Sequence, residues 1–160
     1  MEKLLSQPWI GNIGAIYCST EQKAIDGAAI LARHLSLDYC TLKTLGEIDR
    51  SSTGYLPADE FRATVEQCFA HADESVCGWE PACQAQQRVT DSVEAIVQTE
   101  KGGEDIAIVS HGGVGALYLC HLKSSPIGKE RQPGTNGGCF YCFEARSKRL
   151  VHGWRPIDPI

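Results

Sequence analysis

The stretch that most narrows what this chain can fold into is EDIAIVSHGGVGALYLCHL, from Glu104 to Leu122. It opens on a short apolar run, Ile106 to Val109, too brief for a helix and β-branched enough for a buried parallel strand. Ser110, His111, Gly112 and Gly113 interrupt the run. Val114, Leu117, Tyr118 and Leu122 then recur at helical spacing. Ligands in open α/β sheets bind at the carboxyl ends of strands, which is where His111 falls. The unpaired N–H groups of the following helix favour an anion, and Gly112 and Gly113 let the backbone approach it closely. Phosphate is the ligand this pattern predicts. A histidine in a glycine turn can also simply cap a helix, so the motif alone divides function and structure about evenly.

The rest of the chain repeats the alternation. Ile13 to Ser19 reads as a buried strand, preceded by the end of a helix over residues 1–9. A helix follows from Thr20, its predicted N-cap, with Ala24, Ala28, Leu31, Ala32 and Leu35 on one stripe. Lys23 then projects from the first turn, where a cation is unfavourable for the helix dipole; it is either a solvated surface residue or held there by an anion. Leu37 to Leu42 predicts a short strand near the sheet edge. The loop Thr44 to Pro57 carries Glu47, Asp49 and Arg50. Helices are expected over Pro57 to Ala72 and Trp79 to Thr99, and a proline- and glycine-rich loop over Lys123 to Gly138. Cys139 to Glu144 and Arg149 to Trp154 form a closing antiparallel pair. The fold class is α/β: three layers, a mostly parallel sheet with helices on both faces, and a C-terminal antiparallel hairpin.

Length and charge limit the function. A chain of 160 residues is expected to form a single domain over 1–160 with a real core. A net charge of −5 argues against nucleic acid or an anionic membrane as partner. No run is long enough to span a bilayer and no signal-peptide pattern opens the chain, so a cytoplasmic location is expected. The eight cysteines, at 18, 40, 68, 77, 83, 120, 139 and 142, are mostly scattered through apolar segments and read as small buried hydrophobes. Only Cys139 and Cys142 form a CxxC, with no second pair at finger spacing; no metal and no cofactor are expected.

Three segments, in order, resemble the histidine phosphatase superfamily, the phosphoglycerate-mutase-like fold. SHGGVGALYLCHL is similar to its second histidine motif, CSTEQKAIDGAAILA to its S-x-x-x-[R]-A-x-x-T-A segment, and LGEIDRSSTG to the loop that supplies its general acid. The resemblance implies two-step phosphoryl transfer through a phosphohistidine, with a clamp on the phosphoryl oxygens and an acid for the leaving group. It implies His111 and Glu47 as catalytic residues, and Lys23, His111, Gly112 and Ser19 as phosphate-binding residues. The ligand is then a small phosphorylated molecule or inorganic phosphate.

Two departures shape the expectation. Lys23 stands where an arginine is usual, and grips phosphate as a point charge rather than a bidentate fork. The family's nucleophile lies in an R-H-G or R-H-P motif, and neither occurs here; Arg33-His34 is followed by leucine inside a helix. The chain is therefore expected to begin after the family's first strand, which lies beside the strand bearing His111. Little or no activity is expected, together with self-association through open strand edges. The competing readings are a non-catalytic phosphate-binding or interaction module on the same fold and a cysteine-dependent metal or redox protein.

Overall fold

Strand β1, Ile13–Cys18, is the middle of a three-stranded parallel sheet. The computed structural model describes residues 2–133 and 138–157. After β1 come helix α1 (Gln22–Leu35), strand β2 (Cys40–Thr41), helix α2 (Ala58–Ala70) and helix α3 (Ala82–Thr99). Strand β3 (Asp105–Val109), helix α4 (Gly112–Leu122), and strands β4 (Cys139–Phe143) and β5 (Leu150–Pro156) complete the order. β1 pairs with β2 on one side (Tyr17 opposite Cys40) and with β3 on the other (Cys18 opposite Val109). β4 and β5 pair antiparallel as a separate two-stranded sheet.

Alternation along the strands divides the core into two layers. Ile13, Ile16 and Cys18 of β1 face α1, where Ala24, Ala28 and Leu31 let the helix lie close to the sheet. Tyr17, Ile106 and Ile108 face the other way, toward Val89, Val93 and Ile96 of α3 and Val114, Leu117 and Tyr118 of α4. Helices therefore cover both faces, as expected. α4 is buried almost all round, which its continuous apolar sequence requires. The hairpin shares both layers: Tyr141 and Phe143 pack against the same cluster as Ile106 and Ile108, and Phe140 against the same cluster as Ala107 and Val109. Yet no strand pairing joins β3 to β4 among the described residues, and the outer edge of β3 is unpaired there.

Several boundaries differ from the sequence reading, each for a local reason. The helix expected at Thr20 starts at Gln22 with Glu21 in the N-cap position, because the buried Ser19 hydroxyl accepts the Glu21 amide at 3.2 Å and prolongs the turn. The strand expected over Leu37 to Leu42 contracts to Cys40–Thr41. Ser36 adopts a left-handed φ of 56° and the Leu37 amide bonds back to Ala32 O, so the chain is still turning out of α1 there. α3 begins at Ala82 rather than Trp79, since Pro81 takes the N-cap position, while Trp79 is 2% exposed in the core. Glu2–Ser6 is a 3₁₀ turn rather than the end of an α-helix. Among the described residues no helix is long and apolar enough to cross a membrane.

Candidate functional site

The site forms where β1 and β3 end side by side. Ser19, just past β1, continues the ladder by donating its amide to Val109 O at 3.1 Å. Its hydroxyl is fully buried and lies 2.6 Å from His111 Nε2. His111 holds the N-cap position of α4 in an extended conformation, and its ring makes no capping bond. The imidazole instead turns across to Ser19, leaving the side chain 10% exposed. Ser110 ties the same turn to the neighbouring loop through its hydroxyl, which donates to Leu45 O at 2.7 Å.

That loop brings in Glu47. Its Oε2 accepts the Gly113 amide at 3.0 Å, and its Oε1 accepts the amides of Val114 and Ile48, each at 3.0 Å. The anion seated on the first turn of α4 is thus a carboxylate from the chain itself, placed where unpaired amides and the helix dipole favour negative charge. The glycines matter here by absence: a Cβ on Gly113 would overlap Glu47 Oε1, and one on Gly112 would overlap Gln132 Oε1.

A second carboxylate stands beside the first. Glu21 Oε1 accepts the Glu47 amide at 2.8 Å and lies 3.2 Å from His111 Nε2. Ser19, His111, Gly112 and Glu47 therefore meet in one place. Lys23 sits in the first turn of α1 at the same edge of the sheet, exposed, with no hydrogen bond or ion pair to a described residue.

Sequence reasoning passed over the residue that holds the Glu47 loop. Arg88, on α3, donates through Nη1 to the carbonyls of Thr44 (2.8 Å) and Gly46 (3.0 Å), and through Nη2 to that of Glu47 (3.3 Å). The same guanidinium grips Glu80 in bidentate fashion, at 2.9 and 2.7 Å. Burial pushes the Glu80 carboxyl up, but the Arg88 bonds and the Asp49 amide outweigh it and hold it below the ordinary glutamate range. Arg88 is in turn held more firmly protonated, chiefly by its hydrogen bonds to Glu80. Its only sequence signal was an arginine beside the buried Val89, and the loop carbonyls it holds lie more than forty residues away along the chain. Glu21 was likewise missed. Only its place ahead of the helix, where acids are favoured, set it apart.

Chemically, the edge pairs backbone amides with carboxylates: Gly113 and Val114 donate to Glu47 and the Glu47 amide to Glu21, while Ser19 and His111 Nε2 are bonded to each other beside them. No group of three or more His, Cys, Asp or Glu side chains that could hold a metal ion occurs among the described residues.

Known proteins share this frame. The sequence profile of the histidine phosphatase superfamily (branch 1) matches residues 7–154. No curated protein matches the chain significantly. Among solved structures, YhfR of Bacillus stearothermophilus superposes with a TM-score of 0.69 at 23% identity, covering 92% of this chain and 76% of that one. The mycobacterial glucosyl-3-phosphoglycerate phosphatase in complex with inorganic phosphate superposes with a TM-score of 0.70 at 17% identity, covering 97% of this chain and 81% of the other.

Proposed function

The chain belongs to the histidine phosphatase superfamily (branch 1), and from that premise we propose that it binds a phosphoryl group at His111 while hydrolysing phosphomonoesters little or not at all in this form. The ligand is a small phosphorylated molecule or inorganic phosphate. The observation that carries the reading is the convergence of Ser19, His111 and Glu47 on the first turn of α4. A relative of the same fold is known in complex with inorganic phosphate, which supports phosphate as the ligand. In this reading His111 donates to a phosphoryl oxygen, Ser19 orients its ring, and the Gly112 backbone adjoins the anion. Lys23 adds a point charge from the rim, and Glu47, in the loop that resembles the one supplying the family's general acid, is the proposed proton donor.

Turnover through phosphohistidine needs an imidazole in line with the phosphorus, whereas in this reading His111, resembling the family's second histidine, flanks the phosphoryl group. The other four histidines lie elsewhere. His34 is exposed in the last turn of α1, and His71 ends α2, 3.7 Å from Glu74. His121 stacks on Tyr118 late in α4, and His152 lies in β5. We further propose self-association through the unpaired edge of β3, a cytoplasmic setting, and no nucleic-acid partner, in keeping with the net charge of −5.

Two measurements test this reading. Inorganic phosphate should shift the His111 ring resonances, and the protein should hydrolyse p-nitrophenyl phosphate no faster than its His111→Ala variant. Robust turnover by a strictly monomeric protein, abolished by replacing His34, His71, His121 or His152, would show a nucleophile elsewhere and overturn it.

A further inference from the structure

A phosphoryl oxygen arriving at His111 must enter space that the chain already fills. Glu21 Oε1 lies 3.2 Å from the imidazole Nε2 and accepts the Glu47 amide at 2.8 Å. The amide that donates to this oxygen and the imidazole nitrogen beside it come from separate parts of the chain, the loop after β2 and the turn after β3. A donating amide and an imidazole within ion-pair distance of one negatively charged oxygen make a seat for an anion, here with the anion supplied from within.

We propose that Glu21 is a specificity-determining residue of this site, an internal anion that must leave His111 before phosphate can take the same donors. The inference rests on the phosphate-binding reading above and adds the residue that sets its affinity.

Three observations support a removable occupant rather than a structural brace. The Glu21 side chain is 49% exposed, so it can rotate into water without opening the core. Although Glu21 holds the N-cap position of α1, its carboxylate makes no capping bond to that helix, so α1 does not depend on it. The neighbouring Glu47 carboxylate behaves differently, being fixed by three backbone amides. With Glu47 anchored beside the seat and Glu21 inside it, an incoming dianion meets two like charges, of which only Glu21 is free to move aside. Like-charge juxtaposition of this kind strongly penalises binding. A ligand succeeds by offering the His111 and Glu47 donors more negative charge than one carboxylate provides, as a phosphomonoester dianion does.

The test is a calorimetric titration of inorganic phosphate into the full chain and its Glu21→Gln and Glu21→Ala variants, with the His111 ring resonances reporting the site. Glutamine removes the charge and keeps the shape, while alanine empties the seat. Both variants should bind phosphate about tenfold more tightly than the parent, with His111 shifting at saturation. Asp26→Asn makes the same change of net charge on the exposed face of α1, away from the seat, and should alter affinity by no more than about twofold. Phosphate binding by the parent that neither Glu21 variant improves, or that Asp26→Asn improves equally, would overturn the role of Glu21 and leave the phosphate site standing. A His111 ring unmoved by phosphate in parent and variants alike would overturn both.

Discussion

Strands β1 and β3 lie side by side and send side chains into the same two layers, yet they are buried to different degrees. In β1, Ile16 is 2% exposed and Cys18 not at all, and a strand pairs on each side. In β3 every residue from Ile106 to Val109 is only half-buried, and a strand pairs on one side. The two segments are equally apolar, so composition does not separate them. What differs is the far neighbour. The β4–β5 hairpin contributes Phe140, Tyr141 and Phe143 to the layers that flank β3, but no pairing between β3 and β4 satisfies the backbone between them. Side-chain packing continues across the interruption while the ladder does not. The difference teaches that the ladder runs on from β1 to the two-residue edge strand β2, the closed side, and stops at β3, the open side toward the hairpin, among the described residues, with His111 at that boundary.

The strongest way to break that contrast is to fill the open side. Adding an N-terminal extended segment that carries an R-H-P motif should pair with the free edge of β3. It should protect the amides of Ile106 to Val109 from hydrogen exchange, and self-association should fall with it. If the imidazole so placed stands in line with a bound phosphoryl group, hydrolysis of p-nitrophenyl phosphate should rise by orders of magnitude, about a thousandfold or more. Hydrogen exchange that stays fast in β3 while the added segment is ordered elsewhere would refute the placement.

The closed side predicts a smaller, pH-dependent effect. Arg88→Ala removes the guanidinium that joins Glu80 to the carbonyls of Thr44, Gly46 and Glu47. It should cost about 2 kcal/mol at neutral pH, since both partners are largely buried and Glu80 is left uncompensated. The sign with pH follows from Glu80. Its folded-state carboxyl is held below the ordinary value of about 4.3. The stability it contributes is therefore present above that value and is lost as pH falls through the lower, folded one. Denaturant unfolding from pH 7 to pH 3 should show the parent losing this increment in acid. The variant should start lower and lose less, and parallel curves would show that the pair contributes no linkage.

Much of this division could be read from the chain, and some could not. The apolar runs after Asn12 and Glu104 announce β1 and β3 because buried parallel strands need β-branched residues on both faces. The Ser-His-Gly-Gly turn announces His111 because a strand, a turn and a helix each leave a local signature. Glu47 was legible only through the likeness of its loop to a known family. Arg88 and Glu21 were not legible, since each holds backbone groups of the Glu47 loop from another part of the fold, and backbone groups carry no side-chain signal. The N-cap at Glu21 was lost to a single buried hydroxyl, that of Ser19, which no propensity rule weighs.

The smallest effects sharpen the comparison within a single helical turn. Gly112 and Gly113 open α4 and face opposite regions: Gly113 meets Glu47 from the closed side, and Gly112 meets Gln132 from the loop that leads to the hairpin. A methyl group on either would overlap its neighbour, but the neighbours differ in freedom. Glu47 is pinned by three amides and its backbone by Arg88, so Gly113→Ala must break the carboxylate from the helix terminus, a loss of about 1 kcal/mol. Alanine's better helix propensity returns up to about 1 kcal/mol, so the net change should be a destabilisation of a few tenths. Gln132 contributes only the far end of a flexible side chain, which can rotate away. Gly112→Ala should therefore keep most of the propensity gain and stabilise by about half a kcal/mol. Thermal melts of the two variants should move in opposite directions from the parent. A Gly112→Ala protein that melts lower than Gly113→Ala would mean that the loop before the hairpin is held as firmly as the Glu47 loop, and the contrast between the two sides would not extend to α4.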